Sequence, residues 1–171
     1  MAIPAVVAHG GAGAGPERLA NVERAVAIAA GILDSGGSAI EAAVEACVVL
    51  EDDPVFNAGT GSVFRTDGSV HLDASIQTSE GKMGFVIGMQ DTPNPIRVAA
   101  DLLDEEINGL SGDGARLWAD SKGVREVECA RQASLRRSHR HRRGRSQGQI
   151  RPNRLCHEHG GHQQQAARQS R

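Results

Sequence analysis

Hydrophobic periodicity runs through the chain as far as about residue 130 and then stops. Only that first part can bury a core, so whatever folds here folds from the first 130 of 171 residues. Charge breaks at the same place. Residues 131–171 hold eleven Arg, no Lys and the single acid Glu158, a net +10, whereas residues 1–130 hold eight basic and twenty acidic residues, a net −12. The overall charge of −2 describes neither part. Stretches such as Arg136-Arg137-Ser138-His139-Arg140-His141-Arg142-Arg143 cannot bury enough apolar surface to offset the entropy of ordering. The expectation is an ordered region over 1–130 and a disordered Arg/His/Gln-rich tail over 131–171.

Within the first region the pattern mixes strands and helices. Ala5-Val6-Val7-Ala8 is fully apolar and predicts a buried strand, ending at His9-Gly10-Gly11-Ala12-Gly13. From Glu17 to Asp34 the positions Leu19, Val22, Val26, Ala29, Ala30 and Leu33 recur at helical spacing. Gly36-Gly37 stops that helix. Ser38 followed by Glu41 is a capping box opening a second helix, with Ile40, Val44, Cys47 and Val48 on its apolar side. Asp67-Gly68 predicts a hairpin turn between Ser62–Arg65 and a strand running from Ser69 through Ile76. Gly84–Met89 predicts another strand, Pro95 a helix carrying Ile96, Val98, Ala99, Leu102 and Leu103, and Asp113–Asp120 a short helix. This order points to helices layered on a largely antiparallel sheet. Aromatic residues are only 2% of the chain, so the core must be built from Ala, Val, Ile and Leu.

Two stretches carry chemistry. His9-Gly10-Gly11-Ala12-Gly13 lacks both the Lys-Ser/Thr of a phosphate loop and the GxSxG partner of an oxyanion loop, which leaves a tight turn admitting close backbone approach. Leu50-Glu51-Asp52-Asp53-Pro54-Val55-Phe56-Asn57-Ala58-Gly59-Thr60-Gly61 either curls to aim several carbonyls at a hard cation or simply forms a solvated acidic connection. No apolar run is long enough to span a membrane and the N-terminus lacks a signal pattern, so a cytoplasmic protein without membrane partners is expected. Cys47, Cys129 and Cys156 form neither a disulfide framework nor a CxxC metal site.

Together with Asp67-Gly68, Leu72-Asp73-Ala74-Ser75-Ile76 and weaker echoes at Asn94-Pro95 and Gly112–Gly114, these stretches resemble the plant-type L-asparaginase/isoaspartyl peptidase family of N-terminal-nucleophile hydrolases. The resemblance covers about residues 3–125, most of that family's α subunit. It implies an α+β fold, the four-layer αββα sandwich, incomplete here. It also implies an amidohydrolase acting on asparagine or β-aspartyl dipeptides through a threonine exposed by self-cleavage, assembled as a dimer of αβ units. By the same resemblance, the carbonyls of Leu50, Glu51, Asp53, Phe56, Ala58 and Thr60 are candidate ligands of a structural sodium ion, and no organic cofactor is implied. Asn57 matches the residue that helps hold the nucleophile region, and Gly10 and Gly11 match the loop beside the scissile bond.

The nucleophile itself is missing. The family's β subunit opens with Thr-Val-Gly-Ala-Val and later carries Thr-Ser-Thr-Gly-Gly, and this sequence holds no Thr after Thr92. The chain as written is therefore expected to be inactive. Permitted codons for Arg140–Gly148, taken one base later, encode Asp-Thr-Val-Gly-Ala-Val-Ala-Arg-Asp. In the same offset, Cys156–Gln169 allows Ala-Thr-Ser-Thr-Gly-Gly-Ile-Ser-Asn-Lys-Leu-Pro-Gly. Residues beyond about 122–138 thus read as an out-of-frame translation. The competing reading is a non-catalytic α/β protein with a basic polyanion-binding arm. That tail has no aromatic residue for base stacking, which weighs against nucleic acid. His157, His159 and His162 miss the HExxH metal pattern because position 161 is Gly.

Overall fold

A computed structural model describes residues 3–13 and 15–124. Residues 125–171, which include Cys129, the tail over 131–171, Cys156 and His157, His159 and His162, lie outside the described residues. After a 3-10 turn over Pro16–Arg18 come α1 (Leu19–Asp34) and α2 (Ala39–Asp52). Three strands follow, β1 (Leu72–Gln77), β2 (Met83–Met89) and β3 (Gly109–Ser111), with α3 (Pro95–Asp101) between β2 and β3 and α4 (Gly112–Ser121) last. The strand order is β1-β2-β3, antiparallel between the first pair and parallel between the second. The longer pairing is antiparallel, as expected, and the short β3 adds a parallel edge.

The helix start and stop signals act as read, but the buried side of α1 is Ala25 and Ala29, while Leu19 of the expected stripe stands 58% exposed. Ser38 Oγ accepts from the Glu41 N–H at 3.1 Å, satisfying one of the four donors that a helix start leaves unpaired. α1 and α2 meet through small side chains, Ala25 and Ala29 against Ala42 and Ala46, all buried. Val44 and Val48 face the other way and pack on Ile96 of α3 and on Ala74 and Ile76 of β1. Ile40 instead stands 40% exposed and Cys47 is half-buried, because both lie at the margin of the two contacts. The main core lies between the sheet and α3 and α4, where Val86, Met89, Val98, Leu102, Ala115 and Ala119 are fully buried. On the opposite face of the sheet Ile87 is 54% and Met83 40% exposed.

Two expectations fail. Ala5–Ala8 is not a strand, since none of the described strands pairs with it. It runs extended instead, with Val6 packed against the α1–α2 cluster and Val7 94% exposed. The Asp67-Gly68 turn does form, closed by Gly68 N–H to the Arg65 carbonyl and Arg65 N–H to the Ser69 carbonyl. Its flanks make no ladder, however, and regular pairing begins only at Leu72. There the register slips between Leu72 and Ala74, and the Asp73 carboxylate takes the Gly88 N–H at 2.7 Å. β3 is an addition that no pattern predicts, because a three-residue strand carries no period. No described helix is long and apolar enough to cross a membrane.

Candidate functional site

The loop between α2 and β1 begins where a helix runs out of partners. The last four carbonyls of an α-helix have no intrahelical donor and carry the negative end of its dipole, and Leu50 and Glu51 lie in that last turn. The chain then doubles back tightly. Phe56 N–H donates to the Asp53 carbonyl at 3.2 Å and Gly61 N–H to the Ala58 carbonyl at 2.9 Å. Two of the six candidate cation ligands therefore already accept one hydrogen bond, which leaves each a second lone pair.

Glycine makes the return possible. Gly59 has φ +43°, and a Cβ there would lie 2.5 Å from the Glu51 carbonyl oxygen and 2.8 Å from Glu51 Cβ. A Cβ on Gly61 would run into the Phe56 carbonyl oxygen and stand 2.8 Å from that of Pro54. The carbonyls of Glu51 and Phe56 thus line a cradle that any larger side chain would fill. Asn57 closes the loop by accepting the Val63 N–H on Oδ1 at 2.9 Å.

The two motif stretches, far apart in sequence, touch. Phe56 is 3% exposed, and a Cβ on Gly10 would come within 2.8 Å of its ring and 3.0 Å of Val22. The glycine stretch therefore lies directly on the centre of the loop. Gly11 N–H donates to His9 Nδ1 at 3.0 Å, which folds that segment back on itself. Asn57, Ser62, Arg65, His71 and Asp73 share with Glu51 a cleft of about 290 Å³ beside the loop.

Asp53 anchors the loop to α1. Its Oδ2 accepts from Asn21 Nδ2 at 2.6 Å and from Arg24 at 2.7 Å, and its Oδ1 from the Val55 N–H at 3.1 Å. The Asn21 bond, then the Val55 N–H and Arg24, hold this buried carboxyl below the ordinary aspartate range. A group with a depressed folded pKa contributes stability that is present above its unfolded pKa and lost as pH falls through the folded one. Asp53→Asn is accordingly expected to cost about 1–2 kcal/mol at neutral pH, a penalty that shrinks in acid. Urea unfolding at neutral and acidic pH measures it, and an equal loss at both would refute the charge as the cause. Asn21 and Arg24 were absent from the residues singled out by pattern. Their only signal is an i, i+3 polar pair on one face of an otherwise Ala-rich helix.

Glu51 is the other buried acid, 7% exposed. Its Oε1 accepts the Ile96 N–H at the start of α3 at 3.3 Å, while Oε2 is buried without a partner among the described residues. Asn94 lies near, but its Nδ2 donates to Asp52 Oδ1 at 2.9 Å. Burial, and then the neighbouring Asp52 charge, push the Glu51 carboxyl up to about 8 against the smaller opposing pull of Ile96 and Asn94. Arg97 nearby is occupied by a bidentate pair to Glu45, at 2.7 and 3.0 Å.

Sequence similarity gives this mixed α+β unit its class. The sequence profile of the Asparaginase family matches residues 2–170, and the chain belongs to that family. The match runs past the residues 3–125 that the motifs cover. The chain is 43% identical over 133 residues to isoaspartyl peptidase/L-asparaginase of Macaca fascicularis and to that of Homo sapiens. It is 40% identical over 131 residues to plant-type L-asparaginase of Pyrococcus abyssi. In each case 72% of this chain and 43% of the relative are covered, so the chain spans less than half the length of these curated relatives.

Proposed function

We propose that residues 1–130 are the α-subunit-like part of an amidohydrolase that cleaves asparagine or β-aspartyl dipeptides. The observation that carries this reading is the seating of Gly10 on Phe56, which joins the two stretches through which the chain resembles the family. The reading assigns support rather than chemistry to the described residues. Gly10 and Gly11 give the chain room beside a scissile bond, and Asn57 pins the segment that faces it. Bond breaking belongs to a threonine whose own amine serves as base, and none follows Thr92.

The four-layer sandwich belongs to the same reading. It accounts for the exposed Ile87 and Met83, which stand where a second sheet would cover the first. It also accounts for the extended Ala5–Ala8 segment, whose partner strand would come from the remainder of the enzyme, as would the partner αβ unit of a dimer.

The 50–60 loop is the place for a sodium ion. The Gly59–Gly61 cradle and the unpaired α2 carbonyls fit a hard cation. The carbonyls of Leu50, Glu51, Asp53, Phe56, Ala58 and Thr60 would hold it, and its contribution is to stiffen the loop under the glycine stretch.

The tail is an out-of-frame translation of the nucleophile-bearing part. Its support is the change in composition at about residue 130 and the compatibility of one shifted frame with two family motifs at once. Resequencing the encoding DNA tests this directly, and an uninterrupted, correctly read frame through Arg171 would overturn it.

A further inference from the structure

We propose that Asn108–Gly109 is a self-modification site, at which the Gly109 amide attacks the Asn108 side chain and leaves a β-aspartyl link in the backbone. The inference is independent of the function proposed above. Asn108-Gly109 is the one Asn-Gly pair in the sequence. Asn108 is exposed, and its side-chain amide makes no hydrogen bond among the described residues. β3, which Gly109 opens, lies at the edge of the described sheet. The Asn108 carbonyl accepts the Phe85 N–H at 2.9 Å, and in this parallel register the next donor turned toward β2 is that of Leu110. The Gly109 N–H between them points away from β2, toward the open edge. Glycine is compulsory at this position, because a Cβ there would overlap the Phe85 ring. Packing on Phe85 thus fixes, directly after an exposed asparagine, the one residue with no side chain to shield its nitrogen.

The reaction balances with water alone. The Gly109 nitrogen gives up its proton and bonds to Asn108 Cγ, while the Cγ–Nδ2 bond breaks and ammonia leaves carrying that proton. Water then opens the cyclic imide at either carbonyl. Opening at Cγ gives aspartate. Opening at the α carbonyl breaks the original peptide bond, so the chain runs on through Cβ and Cγ beside a free α-carboxylate. That link is one atom longer, and the carbonyl that took the Phe85 N–H has left the main chain, so Phe85 and Gly109 lose their register. The rival positions are blocked. Asn94 precedes Pro95, whose nitrogen carries no proton. Asn21 and Asn57 commit side-chain atoms to Asp53 and to the Val63 N–H. Asp67, also followed by Gly, holds its Oδ1 on both the N–H and the hydroxyl of Ser69.

The test ages the full chain in mildly alkaline buffer, folded and in urea, and follows each asparagine by peptide mass spectrometry. The folded chain is expected to convert Asn108 at least about tenfold faster than Asn21, Asn57, Asn94 or Asn153, and within about tenfold of the urea-unfolded chain. Edman degradation of the aged peptide should stop at residue 108 in part of the material, because a β-linked residue is not released, whereas the aspartate form is read through. Asn108→Gln, whose longer side chain closes its ring less readily, should yield no such product. Asn108→Asp carries the new charge without the longer link and should unfold close to wild type, while the β-linked fraction unfolds at lower temperature. Far-UV circular dichroism checks that both variants fold. Slower conversion in the folded chain than these limits, or an aged peptide that is read through completely, overturns the site. A β-linked fraction that unfolds with the wild type overturns the loss of register.

Discussion

Deletion of a single base between codons 122 and 138 of the encoding gene is expected to yield a product that cleaves itself and releases ammonia from asparagine or a β-aspartyl dipeptide. The deletion brings Arg140–Gly148 into the frame that permits Asp-Thr-Val-Gly-Ala-Val, placing a threonine where the family exposes one. Loss of the nucleophile from an acyl-transfer site costs on the order of 10⁶ in kcat in a well-studied serine protease, so the restored enzyme should exceed the 171-residue chain by at least about a thousandfold. Mass spectrometry of the restored product should find two fragments, the second beginning with Thr. The 171-residue chain should stay in one piece and release no ammonia. Turnover by that chain, or a shifted product that stays intact and inert, would refute the reading.

The second large effect is on stability. Gly84 is buried in β2, where a Cβ would overlap the Ala99 carbonyl oxygen and lie 3.3 Å from Leu102 Cβ. Gly84→Val must therefore lift α3 from the sheet, and α3 supplies Val98 to the most deeply buried cluster in the fold. Overpacking against backbone of this kind should cost about 3 kcal/mol or more. Trp118 is the single tryptophan and packs on that cluster, so its fluorescence in urea follows the change. Ser75→Ala, on the exposed side of β1, should move the midpoint by no more than about 0.5 kcal/mol. A Gly84→Val midpoint as close to wild type would show that α3 yields without cost.

How much of this was legible in the sequence depends on the range of the interaction. The Ser38–Glu41 cap, the Ala-rich helices and the Asp67-Gly68 turn are local, and each forms where its residues place it. Ala5–Ala8 has the composition of a buried strand, yet strand formation needs a neighbour, and none of the described strands supplies one. β3 exists because Phe85–Ile87 offers a parallel edge to Gly109–Ser111, a fact no residue in those three positions announces. At the site, the glycine stretch and the 50–61 loop were recognisable separately. Their contact through Gly10 and Phe56 was not, nor was the burial of Glu51, whose partner Ile96 arrives 45 residues later. A glutamate in the last turn of a helix reads as solvated until the returning chain covers it.

The seam between α1 and α2 has a consequence for the entropy of folding. Ala25, Ala29, Ala42 and Ala46 at its centre have no side-chain torsion to freeze, so the rotamer cost of closing this contact falls only on the partly buried Ile32, Leu33, Val49 and Leu50 around them. A leucine seam would bury more area but would first have to immobilise its side chains. Here the helices are joined by a four-residue connection, Ser35–Ser38, and their contact is close in sequence as well as in space. The α1–α2 hairpin therefore closes at a lower side-chain entropy cost than a seam of leucines would, and it carries the start of the 50–61 loop.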